Sequence, residues 1–295
     1  MRKIAILLVL LGAAVHVARA QHAGITAELR LDQDQFLPDE DLHVKLRIVN
    51  RSGQRLSLGD SDQWITFAIA GEHETIVPRL GEMPVKHPFT LLSGQSITLE
   101  FNPTPYFGFR HQGLYSMGAS ITVPQWKQAI PCKPVTFMIS TGVPLPDFAN
   151  VAVGVRLPSG VTNQAPDVRH YTLLKVSYLD EVKLYFRLTD DGGQTLRVFP
   201  LARIVDFGRP QAQIDGSNRL HVLVQTDARI FTYLVLDVNG NMLARQSHEY
   251  AESRPTLRSG DDGQIYVGGG HRVLLASDIP PPAESASTTA TAKSE

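Results

Sequence analysis

The chain holds one cysteine, Cys132, in 295 residues. A lone thiol excludes any intramolecular disulfide, so the fold must hold together by apolar burial. Aromatic residues are only 7% of the chain, which makes each cluster of them a candidate contact surface. An excess of either charge is also missing: 28 Lys and Arg stand against 29 Asp and Glu. Phosphate backbones and anionic bilayers select a basic footprint, so nucleic acid and a membrane surface are not expected partners. No apolar run beyond residue 17 approaches the ~20 residues of a membrane span. No long window shows a 3.6-residue stripe, and this argues against helices.

The usual signatures of chemistry are absent as well. There is no Gly-x-Ser-x-Gly elbow. Gly268-Gly269-Gly270 ends a strand pattern with no helix to follow, so it does not read as a phosphate cradle. Beyond residue 20 the histidines are His22, His43, His73, His87, His111, His170, His221, His248 and His271. No two of them share a zinc-ligand spacing with a third ligand nearby. Asp190-Asp191-Gly192 and Asp237-Val238-Asn239-Gly240-Asn241 lack the sixth-place Gly and twelfth-place Glu of a calcium loop, and they read as hairpin turns. The expectation is a protein with no catalytic residue, cofactor or metal site.

What the chain does have begins with an export signal. Arg2 and Lys3 precede an apolar run over Ile4 to Val17, and Ala18-Arg19-Ala20 supplies small residues for cleavage. The expected location is the periplasm or the outside, with no membrane span after cleavage. Losing Arg2, Lys3 and Arg19 takes the net charge from -1 to -4. At the other end, residues 281–295 form a Ser/Thr/Ala/Glu tail read as disordered.

Between these ends the pattern is all-β. In residues 21–142, Ile25, Ala27, Leu29 and Leu31 alternate with polar neighbours, and Leu42, Val44, Leu46 and Ile48 repeat the pattern. Further strands are expected over Trp64 to Ala70, Ser96 to Phe101, Leu114 to Val123 and Val135 to Ser140, which together predict an antiparallel sandwich. Leu92-Ser93-Gly94-Gln95-Ser96-Ile97-Thr98-Leu99-Glu100-Phe101, followed by Gly113-Leu114-Tyr115, resembles the second half of a bacterial immunoglobulin-like domain. The resemblance implies that Tyr115 sits at a tyrosine corner. Gln35 to Leu42 is similar to strand openings of secreted proteinase-inhibitor domains. Tyr106, Phe107 and Phe109, with Trp126 in the next Pro-bounded loop, are the candidate partner contacts; the alternative is that they plug the sandwich.

Residues 143–165 read as a linker or first strand, and residues 166–280 as an internal repeat. Pro166, Pro210 and Pro255 are 44 and 45 residues apart, and an offset of 48 places Tyr185, Leu188 and Gly192 on Tyr233, Leu236 and Gly240. Ser259-Gly260-Asp261-Asp262-Gly263-Gln264-Ile265-Tyr266 resembles the Asp-box of sialidase-type β-propellers, and Thr189 to Leu196 does so more loosely. Two full units and a truncated third are too few to close a propeller, which typically needs ~4 blades. Subunits that combine, an open stack or a second sandwich would each resolve this, with Val151 to Val155 as a candidate partner for the truncated unit. The function expected is an exported, non-catalytic binding or assembly protein that contacts protein or glycan. The alternatives are a glycan-acting hydrolase completed by oligomerisation and a secreted proteinase inhibitor. The hydrolase would draw on Arg187, Arg197, Arg203, Arg209, Arg229, Tyr185 and Tyr233.

Overall fold

The computed structural model describes residues 24–72, 76–109, 111–155, 167–179, 181–205 and 208–279. The expected signal segment, the expected disordered tail and Pro166 lie outside the described residues. Ten strands form the N-terminal half: β1 (Ile25–Leu31), β2 (Gln35–Phe36), β3 (Val44–Asn50), β4 (Leu56–Leu58), β5 (Ile65–Ala70), β6 (Phe89–Leu91), β7 (Ser96–Phe101), β8 (Gly113–Val123), β9 (Gln128–Pro131) and β10 (Val135–Ile139). One sheet has the order β1-β3-β7; the other runs β2-β10-β8-β5, with β9 also on β8 and β4-β6 as a separate pair. The alternation read from sequence decides which side chains point inward. Val44, Leu46 and Ile48 from one sheet meet Met117, Ile121 and Phe137 from the other in a single core.

Trp64 is buried in that core and donates its indole N–H to the Val85 carbonyl at 2.7 Å. The Tyr115 hydroxyl donates to the His111 carbonyl, four residues upstream, at 2.8 Å. Cys132 is buried, and burial pushes its thiol up to about 11, which makes it an inert core residue.

The C-terminal half contains β11 (Val143–Pro144), β12 (Val151–Val155), β13 (Asp167–Tyr178), β14 (Glu181–Asp190), β15 (Thr195–Ile204), β16 (Gln211–Ile214), β17 (Leu220–Gln225), β18 (Ile230–Leu236), β19 (Met242–Glu249), β20 (Thr256–Ser259), β21 (Ile265–Gly268) and β22 (His271–Val273). The order β11-β13-β14-β15, with β12 on β13, makes one antiparallel sheet, and β16-β17-β18-β19-β22 makes the next. These two sheets share a core in which Tyr171, Leu173 and Phe186 meet Leu220, Val222 and Leu234. The β20-β21 hairpin covers the far side of the second sheet, where Leu257 and Ile265 meet Tyr233 and Val235. On the far side of the first sheet, Leu174, Val176, Tyr185 and Val198 pack on Leu37 of the N-terminal half. Each sheet is thus covered on both faces, which is why β17 is buried at all six positions despite its period-2 geometry.

None of these sheets closes on itself. Val151–Val155 was a candidate to complete the last repeat; it pairs instead with β13 in the first sheet. At twelve residues β13 exposes a long edge, and the nearest preceding strand covers it. The truncated last unit is an isolated hairpin whose following strand, β22, returns to β19 of the second sheet. The turns do repeat. Asp190, Asp215 and Asp237 each accept, through Oδ1, the N–H four residues on, at 2.8, 2.9 and 2.7 Å. These carboxylates are engaged by their own backbone.

Candidate functional site

The N-terminal sandwich has two outer faces of opposite chemistry. Across β1-β3-β7 the outward positions carry opposite charges in register, with Glu28 beside Arg47 and Lys45 beside Glu100. Lys45 Nζ lies 2.6 Å from Asp32, and Arg30 bridges Glu28 at 3.2 Å. This is an ordinary solvated face.

Across β5, β8 and β10 the outward positions carry no charge. Thr66, Ala68 and Ala70 lie beside Ser120, Gly118 and Ser116, and Thr136 continues the last row. Small side chains over the middle of the sheet leave a groove of about 540 Å³, lined by Ala68, Ala70, Ser116 and Gly118 and, at its rim, by Arg79, which is paired with Glu82. Ile76, 82% exposed, and Pro78 border it on one side and Pro134 on another. Leu114, 49% exposed, extends the apolar character along β8. An uncharged face with exposed large aliphatic residues on its margin is how protein contact surfaces differ from solvated ones.

The aromatic candidates lie elsewhere. Phe107 and Phe109 are buried; Phe109 packs against Tyr115 and Phe137, and neither offers a surface to a partner. Tyr106 and Trp126 are half-buried against the same core, and Trp126 donates its indole N–H to Gln54 at 3.2 Å. The Pro103/Pro105 corner, with its 3-10 turn over Thr104–Tyr106, folds this segment inward. In the sequence, nothing but the neutrality of alternate positions in β5 and β8 pointed to the face that stands open instead.

A second candidate is the seam between the halves. A cavity of about 350 Å³ is lined by Asp32, Asp39, Glu40 and Asp41 on one side and by Arg197 and Phe199 on the other. Several of its polar groups are engaged, while Asp39 holds no side-chain hydrogen bond or ion pair among the described residues. Asp41 accepts from Asn102 at 2.7 Å, while Arg197 donates to Gly240 O and Asn241 Oδ1 and stacks over Phe199. Glu40, buried in the Leu37 loop, accepts from Leu37 N–H at 2.7 Å and from Gln33. Desolvation raises its pKa to about 7, against the opposing effects of those two bonds and of Lys183; Asp41 adds to the rise. The Tyr185 hydroxyl is buried and makes no hydrogen bond of good geometry, although Glu40 and Gln33 lie beside it; burial and the Glu40 charge push its pKa up. Arg187 Nε is buried and unpartnered too, and desolvation lowers its pKa.

A third buried polar group lies within the second sheet and beneath its hairpin. His221 Nε2 is 3.0 Å from Asp215 Oδ2, and His221 Nδ1 is 2.6 Å from the Tyr233 hydroxyl. Arg219 Nε donates to the same Asp215 oxygen at 2.6 Å. Burial acts to raise Asp215, but the bonds from His221, Arg219 and Ser217 prevail and hold its carboxyl below the ordinary range. Desolvation lowers His221, partly offset by Asp215. A neutral His221 facing an ionised Asp215 carries its proton on Nε2, so Nδ1 accepts from Tyr233.

Tyr185 and Tyr233 therefore lie on different sheets in different polar settings, and the side chains a sialidase-like centre would require do not converge. Among the described residues no group of three or more His, Cys, Asp or Glu is placed to hold a metal ion.

No family model and no curated protein matches the chain. Among solved structures, the sporulation control protein Spo0M from Bacillus subtilis aligns with a TM-score of 0.29 at 8% identity, over 62% of this chain and 91% of that one. The E. coli chaperone DraB aligns with a TM-score of 0.25 at 12% identity, over 60% of this chain and 98% of that one. Similarity at this level carries no argument about fold or function.

Proposed function

We propose that this chain is an exported, non-catalytic binding or assembly protein that meets a protein partner on the outer face of β5, β8 and β10. The observation that carries the reading is the contrast between the two outer faces of one sandwich. One is laced with opposite charges, and the strands of the other carry none; its groove has one ion pair, Arg79–Glu82, at the rim and is bordered by exposed Ile76 and Leu114. A protein partner suits this face better than a glycan, because sugar stacking needs exposed aromatic rings and the four aromatic candidates are buried or half-buried.

The rival readings find less support. A hydrolase needs a pair of carboxylates free to act, and three of the four at the seam are held by Lys45, Asn102, Gln33 and Leu37 N–H, which leaves Asp39 alone. An inhibitor of the kind suggested by Gln35 to Leu42 needs an exposed loop, and Gln35, Leu37 and Glu40 are buried. The immunoglobulin-like reading of the N-terminal half draws support from its two facing sheets and the Tyr115 bond. The blade-like reading of the C-terminal half draws support from the stacked meanders and their repeated Asp turns. Export rests on the basic, apolar and small-residue order of the first twenty residues.

The test is site-specific photo-crosslinking in cells of the source organism, with the probe at Ala68 on the neutral face or at Thr98 on the charged one. A discrete adduct from Ala68 that is absent from Thr98 is expected. Equal labelling from both positions, or none from Ala68, would overturn the proposal.

A further inference from the structure

We infer that the seam between the two halves is a clasp worked by pH, which closes on a protonated Glu40 and parts when Glu40 ionises. The clasp is built on one turn. Leu37-Pro38-Asp39-Glu40 closes with Glu40 N–H donating to the Leu37 carbonyl at 3.2 Å, and Asp39 takes a φ of 66°. The Glu40 side chain folds back over the same turn. One of its oxygens accepts the Leu37 N–H at 2.7 Å, and the other accepts from Gln33. This arrangement presents Leu37 to the C-terminal half. In the buried cluster at the seam Leu37 is the single contribution of the N-terminal half, set against Leu174, Val176, Tyr185 and Val198. A long bond of 3.5 Å from Gln35 to the Ser177 carbonyl also crosses the seam. One inserted side chain is a small apolar contact for two halves of this size, and small interfaces between domains permit relative motion.

The carboxyl that closes the turn is 4% exposed, and among the described residues no cation is bonded to it. From its own segment Gln33 and Asp41 face it, with Asp34 beside Tyr185. From β14 come Tyr185 and Lys183, which already bridges Glu181 at 3.8 Å, while Arg187 faces Asp39. Across the cavity β15 supplies Arg197, bonded to Gly240 and Asn241; Asp32, Asp39, Asp41 and His43 line the near side. An ionised Glu40 in the closed seam is therefore one more negative charge among carboxylates, out of water and without a bonded cation. That state is expensive. Two courses relieve it: the carboxyl keeps its proton, or the seam parts and water reaches the charge.

The chain has a joint where parting is absorbed. Ser140 belongs to the first half: its N–H donates to the Phe36 carbonyl at 3.0 Å, and its hydroxyl accepts from Gln35 at 2.7 Å. Val143 belongs to the second, paired through β11 with Lys175 of β13. Thr141 and Gly142 alone lie between them, which suits a two-residue hinge. In the closed form a Cβ at Gly142 would lie 2.9 Å from Leu174 and 3.0 Å from Val176, so the seam shuts onto a glycine. The direction follows from linkage. Desolvation raises the Glu40 pKa from 4.5 to about 7 in the closed form, and parting returns it to water. Closure is therefore fully favoured below about 4.5 and weakens as pH rises to about 7, where the effect levels off. Between pH 4 and pH 8 the closed-to-parted ratio should fall by roughly 200-fold.

The experiment is single-molecule energy transfer on the purified chain, with dyes on Thr98→Cys and Gln194→Cys, exposed positions on opposite halves. Cys132 is buried and stays unlabelled. A population with a changed inter-dye distance is expected to grow as pH rises from 4 to 7 and then to level off. Glu40→Gln, which cannot ionise, should remove this dependence and keep the halves closed at pH 8. Lys183→Met, which withdraws a cation that favours the ionised carboxyl, should move the levelling point to higher pH. Leu37→Ala should enlarge the parted population at every pH, because it empties the apolar contact. His43→Gln, in the same cavity, should leave the curve in place. A distance that does not change with pH, a Glu40→Gln curve that follows the parent chain, or a curve removed by His43→Gln instead would each overturn the inference. Circular dichroism at each pH separates parting from unfolding, since parted halves keep their strand signal.

Discussion

Two buried carboxyls, Glu40 and Asp215, occupy comparable depths in this protein, at 4% and 8% exposure, yet are held in opposite states. Asp215 is paired with Arg219, His221 and two backbone N–H groups, and its pKa is lowered. Glu40 meets one backbone N–H and Gln33, with no cation bonded to it, and its pKa is raised to about 7. The same contrast extends to the tyrosines beside them, which lie 48 residues apart in sequence. Tyr233 is bonded to His221, whereas Tyr185 lies beside Glu40 and Gln33 without a hydrogen bond of good geometry. The lesson concerns where each group lies. Asp215 and its partners come from one strand–turn–strand unit, so local sequence could fit them to one another. Glu40 and Tyr185 come from two halves of the chain that meet only after each has folded.

The largest effect that would break this comparison is removal of the well-satisfied carboxyl. Asp215→Ala leaves Arg219 without its partner, His221 Nε2 buried and unbonded, and two turn N–H groups unsatisfied. Stability should fall by about 3 kcal/mol, read by urea denaturation at neutral pH. A loss below about 1 kcal/mol would mean that water takes over these bonds and that the network is not what joins the turn to the sheet.

The next effect, somewhat smaller, sharpens the contrast through pH. Glu40 has a folded pKa above its unfolded value, so the folded state holds the extra proton between about 4.5 and about 7. Its contribution is therefore full below that window and lost as pH rises through it. His221 works the other way: its lowered pKa makes the unfolded state bind the proton first as pH falls below 6.5, and stability falls with it. The two slopes oppose in the mildly acidic range. Glu40→Gln, which cannot ionise, should remove the first slope and leave the second, raising stability at pH 8 relative to pH 5 by up to about 3 kcal/mol against the parent chain. Denaturant midpoints at the two pH values measure this; parallel profiles for variant and parent would show that Glu40 does not titrate in the seam.

Much of this architecture was legible in the sequence. Alternation at Ile25–Leu31 and Val44–Asn50 gave the facing sheets, and the Asp-Gly-Ser-Asn and Asn-Gly-Asn turns fell where hairpins form. Both features are local, because strand period and turn chemistry need no distant partner. What joins distant segments was not legible. Val151–Val155 carries the same apolar pattern whichever strand it pairs with, so its place on β13 is a tertiary choice. Phe107 and Phe109 read from sequence either as partner contacts or as plugs of the sandwich, and the fold around the Pro103 corner decides for the plug. The neutral face was written in the even positions of β5 and β8, but absence of charge on one side of a strand carries weight only once the opposing sheet shows what a solvated face looks like.

The smallest effect separates the two tyrosines, and it tests the comparison most directly because each change removes one oxygen. In Tyr233→Phe, His221 Nδ1 loses its donor inside a buried site while Nε2 remains held by Asp215. An unsatisfied buried acceptor costs about 1–2 kcal/mol. In Tyr185→Phe only poorly aligned contacts with Glu40 and Gln33 are lost, and the ring keeps its packing on Leu37 and Val198. Removing a buried polar atom without a partner is neutral or stabilising, so the change should lie within about 0.5 kcal/mol of zero or raise stability. Thermal melts of the pair, run side by side at pH 7, give the answer as a difference between two buried tyrosines of the C-terminal half. Equal losses would place a water or a Glu40 bond on the Tyr185 hydroxyl, and the seam would then be as well satisfied as the network between the sheet and its hairpin.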